Sequence, residues 1–186
     1  MEATKIILAS GYVIIALIWT VYMPYPLLEY YRKFARKKRI PLSIMWGALI
    51  VLQLVSDVAP FPQGSMLSYV ERTGLVLFAL GLILAVWGRL SMGSDWGIPA
   101  QYDASKQKHL ITAGAFQLSR NPIYAGLLIL FLGSEMALKS WLVLLIIPLA
   151  LFTRQVIKKE EKLMAKHFGD EWEDYKSRVA RFFVVV

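Results

Sequence analysis

The chain contains no cysteine. That excludes disulfides, thiolate nucleophiles and cysteine metal sites. Charge is also scarce. Asp, Glu, Lys and Arg make up 18% of the 186 residues, against about 25% in a soluble globular domain. Acidic residues are the scarcer sign, 13 against 21 basic, for a net charge of +8. What is abundant is apolar: 57% of residues, with a mean hydropathy of +0.51. These values argue against an ordinary soluble enzyme and against disorder. They point to a membrane protein, whose length is counted in spans.

The first uncharged run is Ile6–Met23. Its 18 residues make about 27 Å of helix, enough to cross or nearly cross the hydrocarbon. It lacks a clear small-residue cleavage site and a basic segment follows it, so it reads as a retained span rather than a signal peptide. A second run covers Ile40–Ser56, before a turn marked by Asp57, Pro60, Pro62 and Gly64. A third covers Thr73–Gly88 between Arg72 and Arg89, long cations that can snorkel to the interface. Two shorter runs, Pro122–Ser134 and Ser140–Thr153, are separated by Glu135 and Lys139 and read as a tight helical hairpin. The predicted fold is all-α: a polytopic membrane protein of about five transmembrane helices plus a cytosolic C-terminal amphipathic helix. Residues 1–90 form a three-span region. Residues 91–186 hold a polar loop, the hairpin and the tail, integrated with it as one domain.

Loop charge sets the expected topology. Six of the 21 basic residues lie together at Arg32, Lys33, Arg36, Lys37, Lys38 and Arg39. Cations beside spans face the cytoplasm and touch lipid headgroups. The run lacks a folded nucleic-acid reader module, so no nucleic-acid partner is expected. The bilayer is the expected partner, and the sequence assigns no oligomeric state. The segment around Asp57, Glu71 and Arg72 falls outside. The polar 91–121 loop and the basic tail fall inside. Five spans then place the N-terminus outside and the C-terminus in the cytoplasm.

Two stretches carry candidate chemistry. On a helical wheel of residues 154–168, Val156, Ile157, Leu163, Met164 and Phe168 share one arc, and Arg154, Gln155, Lys158, Lys159, Lys162 and Lys166 fill the other face. Glu160 falls in the middle of the apolar arc and Glu161 at its edge. A carboxylate on an apolar face needs a partner. That partner is either a loop arginine, in a structural salt bridge, or a ligand that donates hydrogen bonds to it. The second stretch runs from Gly114 to Tyr124. There Asn121 suits a helix N-cap, Pro122 the first helical turn and Tyr124 an interfacial anchor.

Taken together, Arg-Asn-Pro-Ile-Tyr-Ala-Gly at 120–126, a short hairpin, Glu160-Glu161 and then Phe168-Gly169-Asp170-Glu171-Trp172-Glu173-Asp174-Tyr175 resemble the integral-membrane methyltransferases. These are the isoprenylcysteine carboxyl methyltransferase and phospholipid methyltransferase superfamily, and the resemblance covers roughly residues 87–182. It implies S-adenosyl-L-methionine as methyl donor and a membrane lipid or lipidated substrate as acceptor. By matched position it implies cofactor contacts from Gln101, Lys108, His109, Leu110, Ile111, Phe116, Asn121, Pro122, Ile123, Tyr124, Glu160 and Glu161. Arg120, Asn121 and Tyr124 are implied as catalytic, and no metal is implied. Asn121 stands where His is common, and it cannot titrate near neutrality. Phe116 stands where Tyr is often found. Val156 occupies the position of a substrate-binding Arg in the isoprenylcysteine enzymes, with Arg154, half a turn away, as the candidate to replace it. The competing functions are a membrane reductase using a nicotinamide cofactor and a non-enzymatic lipid-binding membrane protein.

Overall fold

The computed structural model describes residues 2–22, 32, 42–56, 58, 60, 67–93 and 109–183. Among the described residues the regular structure is helical, apart from one isolated bridge between Pro60 and Ser140. The helices are α1 (Glu2–Val21), α2 (Leu42–Val55), α3 (Leu67–Met92), α4 (Pro122–Ala137), α5 (Ile146–Phe168) and α6 (Asp170–Arg178). Every apolar run of the sequence lies largely on one of them. Three helical stretches, Ala3–Val21, Leu67–Met92 and Trp141–Phe168, are long and apolar enough to cross a membrane. The apolar part of α2 and the whole of α4 are shorter. With 16 residues, α4 extends only about 24 Å. From Ile146 the last apolar run and the charged stretch after Thr153 form one continuous helix, α5.

The α3–α4 pair is the spine of the molecule, and small residues set its closeness. Glycines recur every seventh residue on both partners, at 74, 81 and 88 on α3 and at 126 and 133 on α4. A Cβ on Gly81 would collide with the backbone of Leu130 and lie 2.7 Å from the Gly126 carbonyl oxygen. Helices in lipid gain little from hiding apolar area from each other. Close backbone approach over small residues therefore supplies the contact. Beside this seam, Leu8, Phe78, Leu130 and Ala137 form a buried cluster that brings α1 onto α3, with Tyr12 edge-on to Phe78.

Three sequence expectations need correction. Glu135 does not lie in the hairpin turn. It is in α4, 2% exposed, and accepts a 2.7 Å hydrogen bond from Gln53 of α2. The turn falls at residues 138–140, where Lys139 adopts φ 53° and its ammonium reaches Glu71 at 2.8 Å. Arg89 does not snorkel. It is fully buried and donates to the main-chain oxygens of Gly93 and Tyr22, while its guanidinium sits over the Tyr22 ring. Carbonyls and an aromatic face supply there what interfacial water supplies to a snorkelling side chain. Finally, Asn121 holds the N-cap position of α4 but makes no side-chain cap. Its amide is committed elsewhere, as follows.

Candidate functional site

The C-terminal ends of α3 and α5, the start of α4 and α6 converge on one pocket, polar by virtue of Arg120, Asn121, Glu160 and Glu161 in an otherwise largely apolar lining. Pro122 begins α4 where its missing N–H costs nothing. Pro122 and Ile123 pack on Gly88 of α3, which fixes the position of Asn121 at the helix mouth. Gly169, at φ 52°, lets the chain leave α5 and turn into α6. That return places Trp172 and Tyr175 against Met164 of α5. The Tyr175 hydroxyl donates to the Phe116 carbonyl at 2.7 Å, and burial holds this phenol well above its ordinary range. It stays a proton donor and fastens α6 to the 114–117 turn.

The pocket is lined on its apolar side by Leu110, Ile111, Phe116 and Met164, and on its polar side by Arg120, Asn121, Glu160 and Glu161. The described residues enclose about 90 Å³ of it. The two glutamates have different surroundings. Glu161 is 9% exposed. It accepts from Arg120 Nε and Asn121 Nδ2, both at 3.3 Å, and from the fork of Arg181, with Nε at 3.1 Å and Nη2 at 2.5 Å. The Glu161 carboxylate in turn raises the pKa of the Arg181 guanidinium. Glu160 accepts a 2.8 Å hydrogen bond from the Tyr124 hydroxyl. The sequence reading ranked Glu160 as the more buried of the two, and the structure reverses that order. The buried stripe of α5 is Thr153, Ile157, Glu161 and Met164, whereas Leu163 is 41% exposed. The structural salt bridge to a loop arginine therefore exists, but on Glu161.

A second cavity, of about 320 Å³ and almost wholly apolar, lies beside the first. Trp46, Leu127, Leu128, Leu149 and Phe152 line it, together with Tyr12, Thr153 and Tyr124. Tyr124 is thus a wall of the apolar cavity and Glu160 a wall of the polar pocket. The hydrogen bond between them joins the two.

Of the residues expected at the site, Leu110, Ile111, Phe116, Arg120, Asn121, Glu160 and Glu161 line the polar pocket, and Tyr124 stands at its border. His109 is exposed and does not line it. Pro122 and Ile123 serve the helix seam. Arg154 is exposed and lines neither cavity, so the structure does not bring it to the site. Gln101 and Lys108 lie outside the described residues. Sequence reasoning assigned Arg181 no role, since the ending that starts with it reads equally as a cap on the site or as an interfacial segment. The only signal from Arg181 was a lone cation in an otherwise apolar ending, Arg181-Phe182-Phe183.

A family model for phospholipid methyltransferases matches residues 70–171, just over half of the chain. The chain belongs to the phospholipid methyltransferase family. It is accordingly a membrane methyltransferase. It is similar to the probable protein-S-isoprenylcysteine O-methyltransferase of Oryza sativa subsp. indica, 28% identical over 131 residues, which cover 69% of each chain. It is also similar to the protein-S-isoprenylcysteine O-methyltransferases of Mus musculus and Schizosaccharomyces pombe. The mouse protein is 26% identical over 121 residues, 64% of this chain and 43% of the mouse protein. The fission-yeast protein is 29% identical over 114 residues, 60% of this chain and 48% of the yeast protein. The family match runs from α3 to the first turn of α6. It includes the glycine seam, Asn121, Tyr124 and both glutamates, and it stops short of Arg181.

Proposed function

We propose that the protein transfers a methyl group from S-adenosyl-L-methionine to a lipid-like or prenylated acceptor at the membrane. The observation that carries this reading is the Tyr124–Glu160 hydrogen bond, which joins a polar pocket to an apolar cavity. Such an arrangement suits a water-soluble donor on one side and an apolar chain on the other. The polar pocket fits the donor's chemistry: the Glu160 carboxylate for its cationic groups, the Asn121 amide for its polar edges, and Phe116, Leu110 and Ile111 for its flat base. Bound there, the donor supplies an electrophilic methyl on a sulfonium. The chain's own residues bind, orient and exclude water, which is most of what an in-line displacement needs from a protein. Tyr124 and Glu160 mark the border where the nucleophile meets the methyl. Arg120 donates to Glu161 and to the carbonyls of Lys176 and Val179, so its role is to hold the site together.

The reading extends to topology. Helices α1–α5 cross the membrane, with the N-terminus outside and the polar pocket at the cytoplasmic side. Ser56 and Ser177 are exposed, and the native chain has no cysteine. Ser56→Cys and Ser177→Cys should therefore label from opposite faces of oriented vesicles, and labelling from one face contradicts the arrangement. The donor assignment is tested by titrating the purified protein with S-adenosylhomocysteine and, separately, with NADPH. Saturable binding of the first alone is expected. Binding of NADPH alone favours a reductase, and binding of neither favours a non-enzymatic lipid-binding role.

A further inference from the structure

We propose that Arg181 is a positioning residue for the donor pocket: it neutralises Glu161 and fixes Asn121, and so leaves Glu160 as the carboxylate that faces the ligand. The proposal rests on the reading of the polar pocket as the donor site.

Residues 179–181 lie as a strap across the mouth of α4. The main-chain N–H of Arg120 donates to the Ala180 carbonyl at 2.9 Å, and its guanidinium donates to the Val179 carbonyl at 2.6 Å. The Arg181 carbonyl accepts from the Ser119 hydroxyl at 3.0 Å and from the Asn121 amide at 3.3 Å. The Asn121 amide is therefore held between two acceptors, the Arg181 carbonyl and Glu161 Oε1. Arg181 grips the same Glu161 with its guanidinium. One residue thus sets both partners of the Asn121 side chain.

Charge gives the strap its second role. Adjacent carboxylates at 160 and 161 both line the pocket. Glu161 is the more buried of the two, and a buried carboxylate needs a counter-charge. Arg181 meets Glu161 through two nitrogens, the planar fork geometry that a lysine cannot reproduce. Arg120 contributes one longer contact, at 3.3 Å. Glu161 is thereby spent within the protein. Glu160 accepts from the Tyr124 hydroxyl and is left to face a cationic ligand. Glutamates one position apart on a helix thus divide the work: one binds the strap and the other binds the donor.

The test measures S-adenosylhomocysteine affinity on full-length protein in detergent, at a temperature where thermal melts show every variant folded. Arg181→Gln should weaken binding roughly tenfold, the size of coupling expected within one charged network. Arg181→Lys should restore part of that loss. The double variant Glu161→Gln with Arg181→Gln should bind better than Arg181→Gln alone, since the unneutralised carboxylate is gone. A strap that only holds the fold predicts otherwise: stability falls while the folded fraction binds as wild type, or the double variant is worse than the single one. Either result overturns the proposal. If wild type binds no S-adenosylhomocysteine, the donor-site reading fails and takes this proposal with it. If wild type binds and Arg181→Gln binds equally well, only the proposal fails.

Discussion

Glu160→Gln should bind S-adenosylhomocysteine roughly 10- to 150-fold more weakly than wild type, since hydrogen bonds to a charged group contribute about 1.5–3 kcal/mol. The fold should survive. Gln has nearly the same volume, its side-chain oxygen still accepts from the Tyr124 hydroxyl 2.8 Å away in the native pair, and a partly buried charge is removed. Calorimetry of ligand binding beside a thermal melt checks both halves. A variant that melts like wild type and binds like wild type would remove Glu160 from the donor site.

Glu161→Gln should behave in the opposite way. The carboxylate joins the start of α4, through Arg120 and Asn121, to the segment after α6, through Arg181. Removing one partner of a buried ion pair costs about 3–5 kcal/mol. The Arg181 side chain is 34% exposed, so water recovers part of that, and a loss of about 2–3 kcal/mol is expected. Denaturant or thermal unfolding in detergent should show a clear fall for Glu161→Gln and little change for Glu160→Gln. Equal stability losses in the two variants would contradict the division of roles drawn from their partners.

The order of these two effects is also where sequence reasoning and structure part. A helical wheel ranks positions by their apolar neighbours, and in a soluble helix those neighbours mark the buried face. In α5 they do not. Ile147, Leu151 and Phe152 are all exposed on the protein surface, as befits side chains that meet lipid. An apolar arc in such a helix reports contact with hydrocarbon as readily as contact with protein. The buried stripe runs through Thr153, Ile157, Glu161 and Met164, and so takes in one glutamate that the arc placed at its edge. The presence of a paired carboxylate was legible, but which of the two glutamates it was depended on the tertiary fold.

Other features divide along the same physical lines. The apolar runs were readable as helices because an uncharged apolar stretch has few alternatives in a bilayer. The coming together of Asn121, Tyr124 and the glutamates followed from their motif. The glycines at 74, 81, 88, 126 and 133 were present in the sequence as a seven-residue spacing, and that spacing identifies α3 and α4 as partners. It is a signal available to any reader of the chain, because only close helix packing calls for glycine at that period. The side chain of Asn121 was harder. Its residue type and its place before Pro122 both favour capping. The cap is given up because Glu161 and the Arg181 carbonyl offer its amide two acceptors. Arg181 itself was beyond reach from sequence, since its partner lies 20 residues away and is brought close only by the turn at Gly169.

The central claim is that a polar donor pocket and an apolar acceptor cavity meet at the Tyr124–Glu160 pair. The measurement that tests it most directly is transfer of a labelled methyl from S-adenosyl-L-methionine into the lipid-extractable fraction of vesicles containing wild type or Leu128→Trp, with S-adenosylhomocysteine affinity measured on both. Leu128 lines the apolar cavity and not the polar pocket. The account predicts labelled product with wild type, at least a tenfold loss of transfer with the filled cavity, and donor affinity retained within about threefold, since additive effects are expected between sites without shared partners. Undiminished transfer with the cavity filled, or no lipid-soluble product from a wild-type protein that binds the donor, would contradict it.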